Sequence, residues 1–335
     1  MRHGHRSIAI VDKSSVGEAR RAAVQIAQVL GFDEGRRSDI GIAATEAATN
    51  VLVHAAKGEL LLCAFAECDD FWLDMVALDT GPGIKDVSRA MEDGMSSVGT
   101  AGQGLGAIAR LSDESSLYTN EGKGTAYWCR FKSAGLPPAM QIGLLNIPIH
   151  GETVCGDSYF VHINPSRSLY MMVDGLGHGK GAAEAANEGV DIVSRYANET
   201  AVEIIVRAHD ALKKTRGAAM SVAIVDHERM VMQYAGVGNI SASLLSGASI
   251  RSLVSQNGTL GAVLPRTPQE YSYPVTADTT LLMYSDGLTT KASPAGYPGL
   301  QSRHPALAAS VLFRDFSRRR DDATVMMAPV GGKRA

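Results

Sequence analysis

The stretch from Tyr170 to Gly181, YMMVDGLGHGKG, constrains the second half of the chain more than any other. Its apolar residues predict a buried strand that carries Asp174 to the strand end. Glycines follow at 175, 177, 179 and 181, and they permit a tight turn with a close backbone approach to whatever the acid holds. A carboxylate on a rigid strand end suits a hard cation, although a solvated Asp-Gly turn has the same sequence.

Three further acidic positions have the same setting. Asp157 (CGDSYF), Asp286 (LLMYSDGLT) and the pair Asp321 and Asp322 (RRRDDATVMM) each border an apolar run. Carboxylates gathered beside core residues repel one another unless cations neutralise them. A donor set of carboxylates without Cys or His predicts Mg²⁺ or Mn²⁺ rather than zinc. Two such cations can activate water against a phosphate ester, which predicts hydrolysis without a covalent intermediate.

These motifs, GD, DGLGHG, SDGLT and DDATV in that order, make residues 142–330 resemble the PPM/PP2C phosphatases in their SpoIIE and stressosome-phosphatase branch. The resemblance implies an α-β-β-α sandwich over 142–335 that uses two Mg²⁺ or Mn²⁺ ions. It implies these metal ligands: Asp157, Asp174, Gly175, Asp286, Asp321 and Asp322.

The resemblance also assigns roles within that set. Asp157 and Asp174 are expected to bridge the two metals and to be the catalytic acids, and the Gly175 carbonyl is expected to complete one shell. Asp286 and Asp321 are expected to bind the other metal. Asp322 ranks second to Asp321, because the wider family often has Asn at this position.

The sequence departs from the phosphatase pattern in places. Cys155 replaces the first glycine of the usual GGD, and the stretch 142–150 offers no clear equivalent of the phosphate-binding arginine of eukaryotic members. His178 is either a proton donor to a leaving group or a turn histidine that binds the backbone. Asn239 either contacts substrate or caps a turn.

The first half begins with helical patterns. Ser15 to Glu18 has the spacing of a capping box, which predicts a helix that Gly31 ends. A second helix is predicted from about Arg37 to Ala56, and Glu46 and Asn50 project from one face of it, one turn apart. These two side chains either share a ligand or form an exposed polar pair.

Glycine-rich corners follow this helix. Strands are predicted at 59–66 and 71–78, and the second ends in Asp79-Thr80-Gly81-Pro82-Gly83, which is either a ligand-reading corner or a turn. Gly99 to Gly106 precedes a helical stretch, where backbone amides could cradle phosphate. Gly122 to Thr125 then opens a last strand.

The order of these motifs (EAATN, DTGPGI, GQGLGA, GKGTAYW) makes the first 130 residues resemble the GHKL (Bergerat) ATP-binding fold, in particular the anti-sigma-factor serine kinases and the stressosome switch kinase. The resemblance implies Mg-ATP as cofactor and Glu46 as the general base toward a substrate serine or threonine. Asn50 would ligate Mg²⁺ and Asp79 would bind the adenine amino group. The remaining nucleotide-site residues are Gly81, Gly83, Gly102, Gly104, Gly106 and Thr125. Thr49 replaces the arginine usual in the stressosome kinase.

Composition bounds the class of protein. The 335 residues, with 45% hydrophobic content and a net charge of −3, predict an α+β protein with two domains, 1–132 and 142–335, joined by a linker at 133–141. The balanced charge gives no reason to expect a nucleic-acid partner. Scattered cysteines, no apolar run of membrane-spanning length and a polar N-terminal tail predict a cytoplasmic location without a membrane partner.

Both resemblances lead to one functional hypothesis. The chain would join a serine kinase-like domain to a phosphoserine/phosphothreonine phosphatase, and both would act on STAS-domain phosphoproteins in a partner-switching pathway. Two alternatives stay open: a first domain that only senses ATP, and a non-catalytic protein that sequesters a sigma factor or STAS partner. A homodimer is a further expectation.

Overall fold

The structure, a computed structural model, describes residues 4–67, 70–91, 104–133 and 141–331. It divides into two compact units. The first comprises Met1–Pro138 with Gly299–Arg314, and the second comprises Ala139–Pro298 with Asp315–Ala335. The predicted boundaries follow chain order, whereas the first unit also includes a segment from the last 40 residues. Most of the predicted linker lies outside the described residues.

The first unit contains one antiparallel sheet with helices on one face. Its strands run in the order β1-β2-β3-β5-β4. The elements, in chain order, are β1 (His5–Ile10), α1 (Lys13–Leu30), α2 (Glu34–Ala55), β2 (Gly58–Glu67), β3 (Asp70–Asp79), α3 (Val87–Met91), α4 (Leu105–Leu111), β4 (Glu114–Asn120) and β5 (Gly124–Lys132).

Successive side chains of a strand point to opposite faces of the sheet, so every second side chain packs against the helices. Leu60 and Leu62 of β2 belong to the same buried core as Ile40 and Ala44 of α2. The intervening residue Leu61 is also fully buried but lies outside that core. The sheet therefore buries side chains on both faces.

Two sequence expectations for the N-terminus are wrong. Helix α1 begins at Lys13 because Asp12 is its N-cap, and Ser15 is the third helical residue of that capping box rather than its start. His5 is not part of a polar tail, since it lies in β1, pairs with Cys63 and is 7% exposed. Asp12 and Ser15 both suit a helix N-cap, so the local pattern does not fix where the helix starts.

The second unit contains two five-stranded antiparallel sheets. Their strand orders are β13-β10-β9-β8-β7 and β12-β11-β14-β15-β6. The strands are β6 (Gly143–Ile147), β7 (Asp157–Ile163), β8 (Arg167–Gly175), β9 (Ala218–Asp226), β10 (Val231–Val237), β11 (Ser241–Ser246), β12 (Ser249–Ser252), β13 (Tyr271–Pro274), β14 (Thr280–Tyr284) and β15 (Ala323–Pro329).

Helices α5 (Lys180–Arg195) and α6 (Ala201–Leu212) cover the first of these sheets. Met171 and Val173 of β8 pack with Val193 and Ile204 of the two helices in one buried core. A third helix, α7 (Pro305–Phe316), follows β14 in sequence and begins in the first unit. The α+β class is confirmed. Over the described residues, no helix is long and apolar enough to cross a membrane.

Candidate metal and nucleotide sites

Asp157 is the first residue of β7, and Asp174 is the second-last residue of the neighbouring strand β8. They are register partners between β7 and β8, so the antiparallel pairing brings both carboxylates to one edge of the sheet. Asp157 is 4% exposed, and its Oδ2 accepts a hydrogen bond of 2.6 Å from the Ser285 hydroxyl. Ser285 precedes Asp286, so this bond also anchors the strand end that bears the third acid.

The surroundings of these carboxyl groups disfavour their charged forms. Burial is the first cause that raises the pKa of Asp157, and hydrogen bonds from Ser285 and Thr324 oppose it. Burial also raises the pKa of Asp174, and the charges of Asp157 and Asp286 raise it further. Burial, followed by the charge of Asp321, raises the pKa of Asp286. A group of acids that repel one another at this depth is stabilised by bound cations.

Asn239 has a defined partner in this site. Its Nδ2 donates to Asp286 Oδ2 over 2.8 Å, so its bond is to an acid and is not a turn cap. Contact with substrate stays a prediction. Arg318 also faces Asp286 and lowers its pKa. The Arg318 backbone N–H donates to the Gly287 carbonyl over 2.8 Å. Asn239 thus holds one oxygen of Asp286, and Arg318, which the sequence did not identify, adds a positive charge nearby.

Asp321 and Asp322 differ in their surroundings although they are adjacent. Both oxygens of Asp322 accept backbone hydrogen bonds, from Ile149 over 2.8 Å and from Gly156 over 2.7 Å. Asp322 is 2% exposed, and its own N–H donates to Asp321 Oδ1 over 2.9 Å. Asp322 therefore fastens the segment before Asp157, and Asp321 is the more available of the two acids.

The acidic side chains lie near one another, but they are not arranged as a coordination shell. Over the part of the chain that the structure describes, no group of three or more His, Cys, Asp or Glu side chains stands ready to hold a metal ion. Ser285, Asn239 and the amides around Asp322 hold carboxylate oxygens individually. The oxygen donor set still fits Mg²⁺ or Mn²⁺.

The glycine turn after Asp174 is tightly packed. A Cβ on Gly175 would lie 2.2 Å from the Ala182 carbonyl oxygen, and one on Gly181 would lie 2.6 Å from Arg216 Nε. His178 Nδ1 lies 3.1 Å from Glu152 Oε1, so its partner is an acid and not the backbone. Neither Glu152 nor Arg216 was identified from sequence.

Arg216 is a cation on the rim of this turn. It precedes β9, where Gly175 pairs with Ala218, and the Leu176 N–H donates to the Gly217 carbonyl. The side chain is exposed and forms no ion pair within the described residues. A sequence signal was absent because Arg216 lies 42 residues after Asp174, between a helix and a strand.

The first unit has a cavity of about 720 Å³ between α2, α4 and the ends of β3 and β5. This volume is in the range of pockets that bind small molecules and cofactors. The predicted residues that line it are Glu46, Asn50, Asp79, Gly83, Gly104 and Thr125. Thr49, Lys85 and Tyr127 line it as well. One cavity thus gathers residues from four separate motifs.

The Asp79 carboxylate is fixed at this cavity by backbone amides. Its Oδ1 accepts from the Gly81 N–H over 2.8 Å and from the Thr125 N–H over 3.1 Å. Gly81 has no room for a side chain, because a Cβ would lie 2.7 Å from Ala55 Cβ. Gly83 has φ 77°, a left-handed conformation that favours glycine. Two amides on one oxygen leave Asp79 a defined orientation.

Glu46 and Asn50 both lie on the cavity side of α2. Burial raises the pKa of Glu46, which favours a carboxylate able to take a proton. The Nδ2 atom of Asn50 is buried, and no described residue is its hydrogen-bond partner. A buried amide left without a partner marks a place for a ligand.

The glycines before α4 are only partly described. Gly102 lies outside the described residues. Gly104 precedes the first residue of α4 without a side-chain cap, and Gly106 is buried within the helix. The Tyr127 hydroxyl donates to the Leu105 carbonyl over 3.3 Å and so ties the start of α4 to β5.

Comparisons with known proteins match two separate parts of the chain. Residues 11–131 match the family model of the histidine kinase-like ATPase domain. Residues 164–330 match the model of stage II sporulation protein E (SpoIIE).

Individual relatives agree with this division. The chain is 36% identical over 118 residues to the serine/threonine-protein kinase RsbT of Bacillus subtilis, which covers 35% of this chain and 89% of that protein. It is 32% identical over 143 residues to the phosphoserine phosphatase RsbX of Bacillus subtilis, over 41% of this chain and 69% of that protein.

A solved structure reported as "The bacterial stressosome: a modular system that has been adapted to control secondary messenger signaling" is 28% identical. It matches with a TM-score of 0.53 over 56% of this chain and 97% of that chain.

The fold and these comparisons define a chain that joins a GHKL-type ATP-binding domain to a PP2C-type serine/threonine phosphatase domain. The chain belongs to the histidine kinase-like ATPase family in its first part and to the SpoIIE family in its second part.

Proposed function

We propose that this chain both phosphorylates and dephosphorylates a STAS-domain regulator in a partner-switching pathway. One observation carries the phosphatase half: carboxylates from β7, β8 and the loops before β15 and after β14 lie close enough to raise one another's pKa. The partner follows from the resemblance of both halves to partner-switching regulators and from the relatives named kinase and phosphoserine phosphatase.

In the phosphatase half, Asp157, Asp174, Asp286 and Asp321 would hold two Mg²⁺ or Mn²⁺ ions, and the Gly175 carbonyl would add a ligand. Bound there, the cations would supply an activated water and positive charge for in-line displacement at phosphorus. The Ser285 hydroxyl and Asn239 amide orient Asp157 and Asp286. Asp322 acts through the backbone of Ile149 and Gly156, which it fastens beside Asp157.

Arg216 would meet the substrate at the rim of this site. Its guanidinium lies against Gly181 with no acidic partner within the described residues. A planar guanidinium without an ion pair binds phosphate or a neighbouring acidic side chain in two-point fashion. This role would compensate for the arginine that the stretch 142–150 lacks.

In the ATP-binding half, the Asp79 carboxylate would accept a hydrogen bond from the adenine amino group. Two backbone amides fix this carboxylate at the cavity. The side-chain oxygen of Asn50 would bind the Mg²⁺ of Mg-ATP, and its buried Nδ2, which has no partner among the described residues, would donate to the nucleotide. Glu46 lies one helical turn from Asn50 and would take the proton from the attacking serine or threonine hydroxyl.

Phosphotransfer tests this assignment in a background without hydrolysis. Asp174→Ala protein is incubated with Mg-ATP and a STAS-domain protein, and phosphopartner is quantified by mass spectrometry. We expect phosphopartner to accumulate with Asp174→Ala and to fall at least a hundredfold with Asp174→Ala/Glu46→Gln, because loss of a general base costs roughly 10²-fold to 10⁴-fold. The exposed acid Glu18, replaced as Glu18→Gln in the same background, is the matched control.

The outcomes separate the alternatives. Accumulation that is equal with and without Glu46 removes the general-base role. No accumulation in any variant, with ATP still bound, removes the kinase activity and leaves an ATP-sensing domain.

A further inference from the structure

Most of helix α7 belongs to the first unit, although it lies far from the rest of that unit in the sequence. The segment Gly299–Arg314 belongs to the first unit, although it lies between Asp286 and Asp321, two proposed metal ligands of the second unit. The helix is apolar on all sides, and its residues 306–313 are buried. A helix with this pattern is an interior element rather than a surface one.

The start of α7 is anchored on the sheet of the first unit. His304, which precedes the helix, stacks on Trp128 of β5 with ring centroids 3.9 Å apart and an angle of 9° between the rings. The guanidinium of Arg130 lies 5.2 Å from the centroid of the Trp128 ring. This anchor lies on the strand that also bears Thr125, one of the residues around the nucleotide cavity.

The end of α7 reaches the nucleotide site. Arg314 Nη1 donates a hydrogen bond of 3.1 Å to the backbone carbonyl of Asp79. Gly81 and Thr125 hold the carboxylate of the same residue. The carbonyl is in a crowded place, because a Cβ on Gly124 would lie 2.1 Å from it. Asp79 is therefore fixed at both its side chain and its backbone.

The chain after Arg314 is fastened beside a proposed metal ligand. The Thr289 N–H donates to the Phe316 carbonyl over 3.0 Å, and the Arg318 N–H donates to the Gly287 carbonyl over 2.8 Å. Gly287 directly follows Asp286. Three residues lie between Arg314 and Arg318, a span of at most roughly 14 Å when extended, so the two arginines stay close along the chain.

We propose that Arg314 is a positioning residue for the adenine-reading Asp79, and that through α7 it couples nucleotide binding to the metal site at Asp286. The inference rests on the proposed nucleotide site and on the proposed metal ligands. It holds whether the first domain transfers phosphate or only binds ATP. Coupling of this kind is reciprocal, so metal binding changes nucleotide affinity by the same factor as nucleotide changes metal affinity.

Titration calorimetry on the full chain tests the proposal. The dissociation constants of Mg-ATP and of Mn²⁺ are measured separately and then each with the other ligand saturating. For the wild type we expect the second ligand to change the affinity for the first by roughly fivefold or more, the lower range of allosteric coupling. With Arg314→Ala we expect Mg-ATP affinity to fall roughly tenfold and the coupling factor to fall to about one.

Two further variants separate positioning from general damage. Arg314→Lys retains a charged donor and is expected to recover most of the ATP affinity. Arg303→Ala removes an exposed arginine from the same segment and should behave as the wild type. Mn²⁺ affinity measured without nucleotide should stay within twofold in every variant, which shows that the second unit is intact.

Different failures have different meanings. If the wild type binds Mg-ATP with coupling, and Arg314→Ala keeps both affinity and coupling, the role of Arg314 is overturned while the proposed function stands. If the two ligands bind independently in the wild type, the coupling is overturned. A wild type that binds no Mg-ATP overturns the proposed nucleotide site itself, and the role of Arg314 with it.

Discussion

Asp157 and Asp174 are paired residues on neighbouring antiparallel strands, so two carboxylates face each other at one edge of a buried sheet. Burial raises the pKa of both acids, and nearby charges raise each further: those of Asp322 and Asp286 for Asp157, and that of Asp157 for Asp174. In a core of this kind, two adjacent acids destabilise the fold unless something neutralises them. Their placement at register positions is explained by a function that needs both acids, and metal binding is the function that their chemistry fits.

Asp174 should destabilise the metal-free protein and stabilise the metal-bound protein. Asp174→Asn removes one repelling charge, so we expect the metal-free variant to unfold at the same temperature as the wild type or higher. With Mn²⁺ at 100 times the dissociation constant, the wild type should gain about 2.7 kcal/mol and the variant almost nothing. Calorimetry with and without Mn²⁺ measures both. Asp210→Asn, an exposed acid on α6, is the control and should keep the Mn²⁺ gain.

The buried ion pair of the first unit gives a stability prediction. Arg130 Nε and Nη2 donate to the two oxygens of Asp74 over 2.6 and 2.8 Å, and both side chains are 3% exposed. Arg130→Met should cost about 3 to 5 kcal/mol, because it leaves a buried carboxylate without its partner. The double replacement Asp74→Leu/Arg130→Met should cost much less.

Urea unfolding followed by tryptophan fluorescence measures this cost in the first unit alone, since Trp72 and Trp128 are the only tryptophans of the chain. A double variant that is as unstable as Arg130→Met would show that packing, rather than the unpaired charge, sets the cost.

His5 gives a prediction for pH. Burial lowers its pKa from 6.5 to about 3, so the folded protein binds fewer protons than the unfolded chain between these values. Its contribution to stability is complete above pH 6.5 and is lost as the pH falls from 6.5 toward 3, by about 5 kcal/mol. His5→Phe should flatten this part of the stability profile.

The same fluorescence measurement at several pH values follows this effect. His54→Phe, at an exposed position of the same unit, should leave the acid side of the profile unchanged. An unchanged slope in His5→Phe would assign the acid lability of the unit to other groups.

Arg216 gives a kinetic prediction. Arg216→Ala should raise KM for a phosphopeptide roughly tenfold, because a charged hydrogen-bonding partner of the phosphate is lost. Gly181→Ala should have a similar effect, since its methyl group would enter the place of the guanidinium. Lys214→Ala, an exposed cation two residues earlier, serves as control. Unchanged KM in both Arg216→Ala and Gly181→Ala would exclude the arginine from substrate binding.

Short-range patterns predicted much of this fold because they are local. The helix that bears Glu46 and Asn50, the strand that ends at Asp79 and the strand that ends at Asp174 are all read from apolar periodicity and glycine. The α+β class and both family resemblances are confirmed. The roles of individual site residues stay predictions.

Long-range relationships could not be read in the same way. Strand β4 alternates weakly, β12 is exposed and β13 is short, so none of them has a clear pattern. Helix α7 shows an apolar run, but nothing local tells that it belongs to the first unit. Arg216, Glu152 and Ser285 enter the site through tertiary contacts with distant residues.

Release of phosphate from a phosphoserine STAS-domain protein tests the central claim most directly. The full chain is assayed with Mn²⁺, with Mn²⁺ plus excess chelator, and as the Asp174→Asn variant beside Asp210→Asn. The account predicts turnover by the wild type and by Asp210→Asn, and at least a thousandfold loss on chelation or in Asp174→Asn. Turnover that survives both the chelator and Asp174→Asn would contradict a phosphatase built on these carboxylates.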